Sequence, residues 1–300
     1  MPEQTKQKSA FIAIVGRPNV GKSSLLNAML GQKVAIVSSK PQTTRTRITG
    51  VLNEDGCQMI FLDTPGLHKP KTRLGDYMVK IINDTVTDVD TVLLLVEPVA
   101  RIGIPEQLLI DKLKEYALPA VLVINKIDSV EKETLLAVMA AYSAAYDFAA
   151  VVPVSARQGD GLDVLKEELK KLCFESPQLF PDGMVSDQPE RQLIAEIIRE
   201  KLLQNLDKEV PHGTAVEIEA MKEENGVEHI SAVIYCERKT HKGIIIGKNG
   251  AMLKKVGASA RPEIEALLDC RVFLQLWVKV KEDWRNNPAQ IRNFGYSEDR

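Results

Sequence analysis

The stretch GRPNVGKS, Gly16 to Ser23, decides the fold of this chain. It follows an apolar run at 11–15 and precedes SLLNAMLG at 24–31, a helical pattern that ends in glycine. A strand, a glycine-framed loop with Lys-Ser and a helix form the arrangement that holds the phosphates of a nucleoside triphosphate. The alternative is a glycine turn that happens to precede a lysine. That alternative does not explain why a strand and a helix flank the loop.

The residue types in this loop suit phosphate binding. Gly16 and Gly21 let the backbone amides point inward, where they and the helix N-terminus form a nest for phosphate oxygens. Lys22 can reach the β- and γ-phosphates, and Ser23 can place its hydroxyl on Mg²⁺. The residues expected to contact the nucleotide here are Gly16, Arg17, Pro18, Asn19, Val20, Gly21, Lys22 and Ser23.

Length and composition predict two domains of an ordinary soluble protein. The chain has 300 residues, of which 44% are hydrophobic and 27% charged, and its net charge is −2. This balance excludes a uniformly basic nucleic-acid binder, so any basic patch must be local. The four cysteines are scattered without ligand spacing, which favours reduced thiols. The first ten residues carry no apolar leader and no run approaches a membrane span, so we expect a cytoplasmic protein.

Residues 1–173 alternate short apolar runs with helical patterns. Each run is almost wholly apolar and is bounded by turn residues, as in parallel strands that are covered on both faces. The expected strands are at 11–15, 59–62, 92–96, 120–124 and 151–154, and the expected later helices are at 105–116, 131–145 and 161–172. The pattern predicts a doubly wound α/β domain.

A second pattern follows a linker. Residues 174–190 contain three prolines and little periodicity, so we interpret them as the linker. Residues 191–300 have the pattern of an α+β domain with the order helix, two strands, helices, strand. Its expected elements are a helix at 191–206, strands at 214–224 and 229–238, a basic loop around GKNG, a helix near 251–268 and a strand at 272–280.

Polar motifs follow three of the expected strands, at the sheet edge where open α/β folds bind ligands. The first is DTPG, which comprises Asp63, Thr64, Pro65 and Gly66. Its carboxylate can hold Mg²⁺ through water, and the Gly66 amide can meet a γ-phosphate. Asp-x-Pro-Gly is also a good turn, but its position after a strand that follows the phosphate loop favours a role at the nucleotide.

The second and third motifs indicate guanine. In NKID, Asp128 can accept from both N1–H and the 2-amino group of guanine, a pair of donors that adenine lacks. Asn125 can contact N7 or O6 and tie loops together, and the Lys126 stem can lie on the purine face. In VSA, Ser155 precedes Ala156, whose amide can donate to O6. Alone, NKID could be a polar loop in which Asp caps a helix.

The ordered set GRPNVGKS, QTTR, DTPG, NKID and VSA resembles the translation-factor class of small GTPases, in its Era and TrmE-like branch. The resemblance implies that Thr44 closes on Mg²⁺ when GTP is bound, with Thr43 as second candidate. Leu67 stands where Ras-like enzymes have a water-orienting glutamine, so slow hydrolysis is expected. Asn19 matches relatives that bind a catalytic K⁺. The implied catalytic residues are Lys22, Thr44, Asp63 and Gly66, and the implied Mg²⁺ ligands are Ser23, Thr44 and Asp63.

A basic window in the C-terminal half predicts an RNA-binding module. Between Arg238 and Arg261 lie seven basic and no acidic residues, around the motif GKNG. A GxxG loop between helices lets a nucleic-acid backbone approach, as in KH domains, and the α-β-β-α-α-β order is that of a type II KH domain. The residues expected to contact RNA are Ile245, Ile246, Gly247, Lys248, Asn249, Gly250, Lys254 and Lys255.

Both halves together resemble the Era family of bacterial GTPases over essentially the whole chain. The resemblance implies a monomer that binds the 3′ region of small-subunit ribosomal RNA, assists 30S assembly and associates loosely with the inner membrane. Trp277 and Trp284 are expected to pack inside the domain. Two alternatives stay open: a GTPase whose basic patch binds a protein or a membrane, and a non-catalytic RNA-binding protein with a structural nucleotide.

Overall fold

The computed structural model describes residues 7–296. The expectation that the chain starts without an apolar leader falls partly on residues 1–6, which lie outside the described residues, as do 297–300. No helix in the described part is long and apolar enough to cross a membrane. By its contacts the chain divides into two compact units, one up to Lys69 with Met78–Asp187 and the other Pro70–Tyr77 with the residues from Gln188 on.

The first unit contains one twisted, mostly parallel sheet. Its strands are β1 (Lys8–Val15), β2 (Ile48–Glu54), β3 (Cys57–Asp63), β4 (Thr91–Val96), β5 (Ala120–Ile124), β6 (Ala150–Pro153) and β7 (Phe174–Glu175). They follow the order β2-β3-β1-β4-β5-β6, with β7 beside β1. All five strands expected from apolar runs are present and parallel, whereas β2 and β7 are antiparallel additions. The parallel strands are nearly free of exposed residues because helices cover both faces.

Five helices connect these strands. They are α1 (Lys22–Leu30), α2 (Arg73–Thr87), α3 (Ile104–Glu115), α4 (Lys132–Ser143) and α5 (Leu162–Leu172). The first and last pack on one face of the sheet, and α2, α3 and α4 pack on the other. This is the doubly wound arrangement that the sequence predicts. It brings the carboxyl ends of β1, β3, β4, β5 and β6 to one edge.

The segment expected as a linker is held to the first unit for most of its length. The Gln58 side chain accepts a hydrogen bond from the Leu179 amide at 2.8 Å. Further along, the Val51 amide on β2 donates to the Val185 carbonyl, also at 2.8 Å. The stretch without such bonds is therefore shorter than 174–190, since the first unit extends to Asp187.

The second unit is an α+β domain. Its elements are α6 (Glu190–Asn205), β8 (Ala215–Glu224), β9 (Val227–Cys236), α7 (Lys239–Ile246), α8 (Ala251–Leu268), β10 (Arg271–Val280) and α9 (Pro288–Asn293). The sheet order is β10-β9-β8, with β10 parallel and β8 antiparallel to β9. Residues of α6, α7 and α8 build one core with the inner face of this sheet. The α-β-β-α-α-β order confirms the type II KH prediction, although α7 occupies part of the expected basic loop.

Candidate functional site

The phosphate loop between β1 and α1 needs its glycines for steric reasons. Gly16 has φ 154°, and a Cβ built there would lie 2.5 Å from the Leu95 carbonyl oxygen. Gly21 has φ 100°, and its Cβ would collide with the Asn125 side chain. Only glycine therefore fits at these two positions, where the loop passes close to β4 and to the NKID loop. The two glycines allow the loop backbone to curl inward. The side chain of Val20, which lies in this loop, is buried in the core.

Lys22 opens α1 with its ammonium group folded back over the loop. The group is buried and donates to the Gly16 and Arg17 carbonyl oxygens at 3.2 and 3.1 Å. Burial lowers the pKa of Lys22 to about 8, while the nearby Asp63 carboxylate acts in the opposite direction. A poorly solvated ammonium that is held against the phosphate loop by two backbone carbonyl oxygens is suited to bind an anionic phosphate.

Three oxygen-bearing side chains meet beside this lysine. Ser23 Oγ donates to Asp63 Oδ2 at 2.6 Å and lies 2.9 Å from Thr44 Oγ1. The other carboxylate oxygen, Asp63 Oδ1, is buried and has no hydrogen-bond partner among the described residues. Burial raises the pKa of Asp63 to about 6, against the pull of the Lys22 charge. Hard oxygen donors with one unsatisfied carboxylate oxygen fit a Mg²⁺ ion.

The structure separates the two threonines of QTTR. Thr44 is the one that reaches Ser23, whereas the Thr43 hydroxyl donates to the Lys40 carbonyl within its own loop at 2.7 Å. The geometry therefore favours Thr44 as the threonine of this oxygen cluster.

The DTPG turn rests on the phosphate loop. A Cβ on Gly66 would lie 2.6 Å from Pro18 Cα, so only glycine permits this approach. Thr64 is buried, and its hydroxyl donates to the Ile14 carbonyl oxygen at 2.8 Å. The Leu67 amide donates to Gly16 at 3.1 Å while its side chain packs on the core. Gly66 thus presents backbone to the pocket, and the buried Pro65 and Thr64 fix its position.

His68 joins the DTPG turn to the QTTR segment. This histidine was not identified from the sequence. His68 Nδ1 lies 2.9 Å from the Gly66 carbonyl oxygen, and Nε2 lies 3.0 Å from the Gln42 side-chain nitrogen. An amide nitrogen only donates and a carbonyl only accepts. The roles of these two partners therefore suit a ring that donates through Nδ1 and accepts through Nε2. In this arrangement one imidazole bridges the DTPG turn and the QTTR segment.

The NKID and VSA loops interlock at the ends of β5 and β6. Asn125 donates to the Val20 carbonyl at 2.8 Å, and its oxygen accepts from the Ala156 amide at 3.1 Å. The Ala156 amide, which the sequence assigned to guanine O6, thus donates to Asn125. Ser155 Oγ donates to one oxygen of the exposed Asp128 at 2.7 Å. Ser155 therefore fixes the orientation of a carboxylate that faces solvent.

A glutamate links the base loop to the phosphate loop. Glu97 directly follows β4 and forms ion pairs with both Lys126 and Arg17. Lys126 also donates to the Asn19 carbonyl at 2.7 Å, while Arg17 contacts the buried Glu106 at 3.5 Å. The Arg17 guanidinium is thus engaged by carboxylates. A charged residue directly after a buried strand was the available sequence signal for Glu97.

These elements enclose a pocket of about 400 Å³. It is lined by Pro18, Asn19, Gly21, Lys22, Ser23, Ser24, Ile36, Val37, Ser38, Ser39, Gln42, Thr43, Thr44, Gly66 and Lys126. The volume falls in the range of small-molecule and cofactor sites. The pocket extends from Ser23 and Thr44 to Lys126, and its lining does not include Asn125, Asp128 or Ser155.

The GxxG loop of the second unit joins α7 to α8. Gly247 has φ 73°, and a Cβ there would lie 2.8 Å from Met252 Cβ. Gly250 has φ 78° with open space around it, and Lys248 and Asn249 between the glycines are exposed. The loop therefore presents two polar side chains at the N-terminus of α8. Lys254 and Lys255 are exposed on the following turn.

Two expectations for this domain are wrong. Ile245, expected to contact RNA, is fully buried in the core and has no surface to offer, whereas Ile244 is 49% exposed and Ile246 is partly buried. Trp284 packs inside the domain as expected, with Nε1 donating to the Gly213 carbonyl at 2.9 Å. Trp277, expected to pack as well, is 59% exposed on β10.

Comparison with known proteins gives the same two modules. The family model described as 50S ribosome-binding GTPase matches residues 11–126, and the KH domain model matches 209–285. The chain is 52% identical to GTPase Era of Ruminiclostridium cellulolyticum over 290 residues, covering 96% of this chain and 97% of that protein. It is 51% identical to GTPase Era of Clostridioides difficile over 294 residues, covering 97% and 99%.

Two solved structures match this chain over 97% of its length. A structure of Era in complex with MgGDPNP and nucleotides 1506–1542 of 16S ribosomal RNA has a TM-score of 0.94 at 39% identity, with 97% of this chain and 99% of that chain covered. An Aquifex aeolicus Era variant bound to GDP and AlF₄⁻ gives the same TM-score and identity, covering 97% and 100%. Fold and site therefore define a GTPase joined to a KH domain. The chain belongs to the Era family of GTPases.

Proposed function

We propose that this GTPase is a Mg²⁺-dependent switch whose nucleotide state controls the binding of single-stranded RNA from the 3′ region of small-subunit ribosomal RNA. In this role it assists assembly of the 30S subunit. The observation that carries the RNA half is the exposed Gly247–Gly250 loop at the N-terminus of α8. The related Era that was solved with nucleotides 1506–1542 of 16S ribosomal RNA supports this choice of RNA.

Different residues of the chain bind the phosphates and the metal ion. The Lys22 ammonium and the loop amides from Gly16 to Ser23 bind the phosphate oxygens, and Gly66 offers its amide to the γ-phosphate. Ser23, Thr44 and Asp63 would hold Mg²⁺ with their oxygens. When bound, the ion neutralises negative charge that develops on the phosphates. Leu67 offers no hydrogen bond to a water, so intrinsic hydrolysis is slow.

Guanine specificity comes from the base loops. The Asp128 carboxylate accepts from N1–H and the 2-amino group, and Ser155 and Asn125 keep the surrounding loops in position. The Lys126 stem covers one purine face. The remaining residues of the proposed nucleotide site are Arg17, Pro18, Asn19, Val20, Gly21, Thr64, Pro65 and Ala156; of these, Arg17, Val20 and Thr64 contribute through the backbone, because their side chains are engaged elsewhere.

A monovalent cation completes the proposed catalytic site. Asn19 lines the pocket, and its side-chain nitrogen donates to the Ser39 carbonyl at 2.7 Å, which leaves its amide oxygen to face a cation. We expect faster GTP turnover in KCl than in NaCl at equal ionic strength. Asn19→Ala removes the ligand and should abolish the difference. Equal rates for the unmodified protein in both salts would refute the K⁺ site alone.

RNA contacts the loop and the first turns of α8. Gly247 and Gly250 let the backbone approach, Lys248 and Asn249 meet phosphates, and Lys254 and Lys255 add positive charge. Ile246, and Ile244 in place of the buried Ile245, supply the apolar surface for bases.

Charge reversal in the loop tests the RNA assignment. The Lys248→Asp and Asn249→Asp double variant should bind RNA of nucleotides 1506–1542 at least tenfold more weakly, with a shallower salt dependence. Gln204→Asp with Lys208→Asp is the control, because both residues are exposed in the same unit and the charge change is equal. RNA-free GTP turnover should stay unchanged in both variants. Unaltered RNA binding by the loop variant would contradict the proposal.

We propose further that the protein acts as a monomer in the cytoplasm, with at most peripheral contact to the inner membrane. Anionic phosphatidylserine vesicles carry negative charge, as RNA does, so they can compete with RNA for the basic patch. Preference for RNA over these vesicles at physiological salt supports the proposed function. The opposite preference would favour the membrane alternative.

A further inference from the structure

The outer face of β10 carries an unusual row of side chains. Alternate residues of a strand point to the same face, and here Arg271, Phe273, Gln275, Trp277 and Lys279 are all exposed. The residues between them face the domain core. The row thus lies on the opposite face of the sheet from α7 and α8.

Two large aromatic rings in this row face solvent. Phe273 is 49% and Trp277 is 59% exposed, although such rings are normally among the most buried groups of a domain. The His229 ring on β9 lies 5.2 Å from the Phe273 ring and widens the surface. A row of exposed rings that continues onto a second strand marks an interaction surface.

The charges of the row indicate the occupant. Arg271 and Lys279 stand at its two ends, the uncharged Gln275 lies between the rings, and no acidic residue occurs among its members. Lys279 contacts Glu219 of β8 at 2.6 Å, but both side chains are over two-fifths exposed, so this pair is easily exchanged. Cations that flank stacking rings are the pattern of single-stranded nucleic-acid platforms.

The spacing gives each ring its own base. Residues on one face of a strand repeat about every 6.6 Å, so Phe273 and Trp277 stand about 13 Å apart along β10. Two bases of one extended strand can therefore stack separately. Because β10 is an edge strand, pairing only with β9 among the described residues, its open edge offers backbone groups to the same bases.

We propose that this row, the β10 platform, stacks bases of the same single-stranded RNA beyond the nucleotides held by the GxxG loop. The inference rests on the proposed function, which supplies the RNA. It adds a second contact region that lengthens the RNA segment read by the domain. A KH loop clamps about four nucleotides, so only a longer RNA reaches the platform.

Tryptophan fluorescence tests the stacking directly. The chain has two tryptophans, and Trp284 is fully buried, so an added strand can reach only Trp277 by stacking. RNA of nucleotides 1506–1542 should quench emission of the full-length protein, whereas tetranucleotides tiled across this RNA should not. The Trp277→Phe variant should lose the quenching but keep most of the affinity, because phenylalanine still stacks.

Affinity measurements provide the second readout. Phe273→Ala and Trp277→Ala should each weaken binding of the long RNA by about fivefold or more, and leave tetranucleotide binding unchanged. Phe174→Ala, which removes an equally exposed ring from the first unit, is the matched control. RNA-free GTP turnover and thermal unfolding should not change, since the rings are exposed.

The two proposals fail in distinguishable ways. If the loop variant loses RNA while the platform variants bind as the unmodified protein does and Trp277 is not quenched, the platform serves a different partner and this inference is wrong. If the platform variants weaken tetranucleotide binding equally, they act through the loop and the inference is also wrong. If the unmodified protein binds neither the RNA of nucleotides 1506–1542 nor any tetranucleotide, the proposed function itself is wrong.

Discussion

At the scale of single residues, the nucleotide site depends on polar atoms that the fold leaves unsatisfied. Asp63 retains a buried carboxylate oxygen without a partner in the described part of the chain, and the buried Lys22 ammonium donates to two backbone carbonyl oxygens. Such groups cost folding free energy unless a ligand satisfies them. Asp128 differs because it is exposed, and Ser155 fixes only one of its oxygens.

Asp128→Asn should change base preference. The amide loses one acceptor for the guanine N1–H and 2-amino pair but can donate to xanthine, whose position 2 is a carbonyl. We expect GTP affinity to fall by about two orders of magnitude and xanthosine triphosphate affinity to rise. Competition binding with both nucleotides measures this. Asp160→Asn, a neighbouring acidic residue, is the control, and GTP affinity unchanged by Asp128→Asn would refute the base assignment.

Residue chemistry at the site was predictable where a motif fixed it. Ser23 and Asp63 were identified because each has a defined position after a strand and a defined role at phosphate or metal. Glu97 was missed because a lone glutamate after a strand forms no motif, although it pairs with two motif residues. Ile245 was misassigned because three consecutive isoleucines do not reveal which one faces the core.

At the scale of elements, the polar motifs of the nucleotide site lie at the carboxyl ends of the parallel strands. Asp63 of DTPG is the last residue of β3, NKID directly follows β5 and VSA directly follows β6, and the sheet order brings all three beside the phosphate loop after β1. The run from Val37 to Thr44 closes the same pocket without regular secondary structure. A segment with few backbone hydrogen bonds of its own is suited to respond to the nucleotide.

Thr44→Ala should weaken binding of GTP with Mg²⁺ and leave GDP binding nearly unchanged. The hydroxyl joins Ser23 and Asp63 in the oxygen cluster, and we expect Thr44 to contribute to Mg²⁺ binding only when the γ-phosphate is present. We expect at least a tenfold loss for a nonhydrolysable GTP analogue, measured by titration. Thr43→Ala is the matched control, because that hydroxyl bonds within its own loop. Equal losses for GDP and the analogue would contradict the role of Thr44.

The elements missed from sequence share weak patterns. The strand β2 has a polar end and lies at the sheet edge, so it lacks the continuous apolar run of its neighbours. The helix α2 contains a glycine near its start and two threonines near its end, which lower its helical propensity. The lysines and glycine of α7 resemble a loop composition, and packing against the KH core makes the segment helical.

At the scale of the whole molecule, two compact units hold the two sites. The change from parallel α/β to α+β patterning predicted two domains, but composition alone could not locate the boundary. The proline-containing segment 174–190, which the sequence predicts as a linker, is hydrogen-bonded to Gln58 on β3 and to Val51 on β2. Tertiary hydrogen bonds of this kind leave no sequence signal, because they use backbone groups and a single buried glutamine.

The central claim is that nucleotide state controls RNA binding, and one coupled titration tests it. The affinity of the full-length protein for RNA of nucleotides 1506–1542 is measured with saturating Mg²⁺ and either GDP or a nonhydrolysable GTP analogue. We predict at least fivefold tighter RNA binding with the analogue than with GDP. Because linkage is reciprocal, bound RNA should raise the ratio of analogue affinity to GDP affinity by the same factor. Identical RNA affinities in the two nucleotide states would contradict the switch.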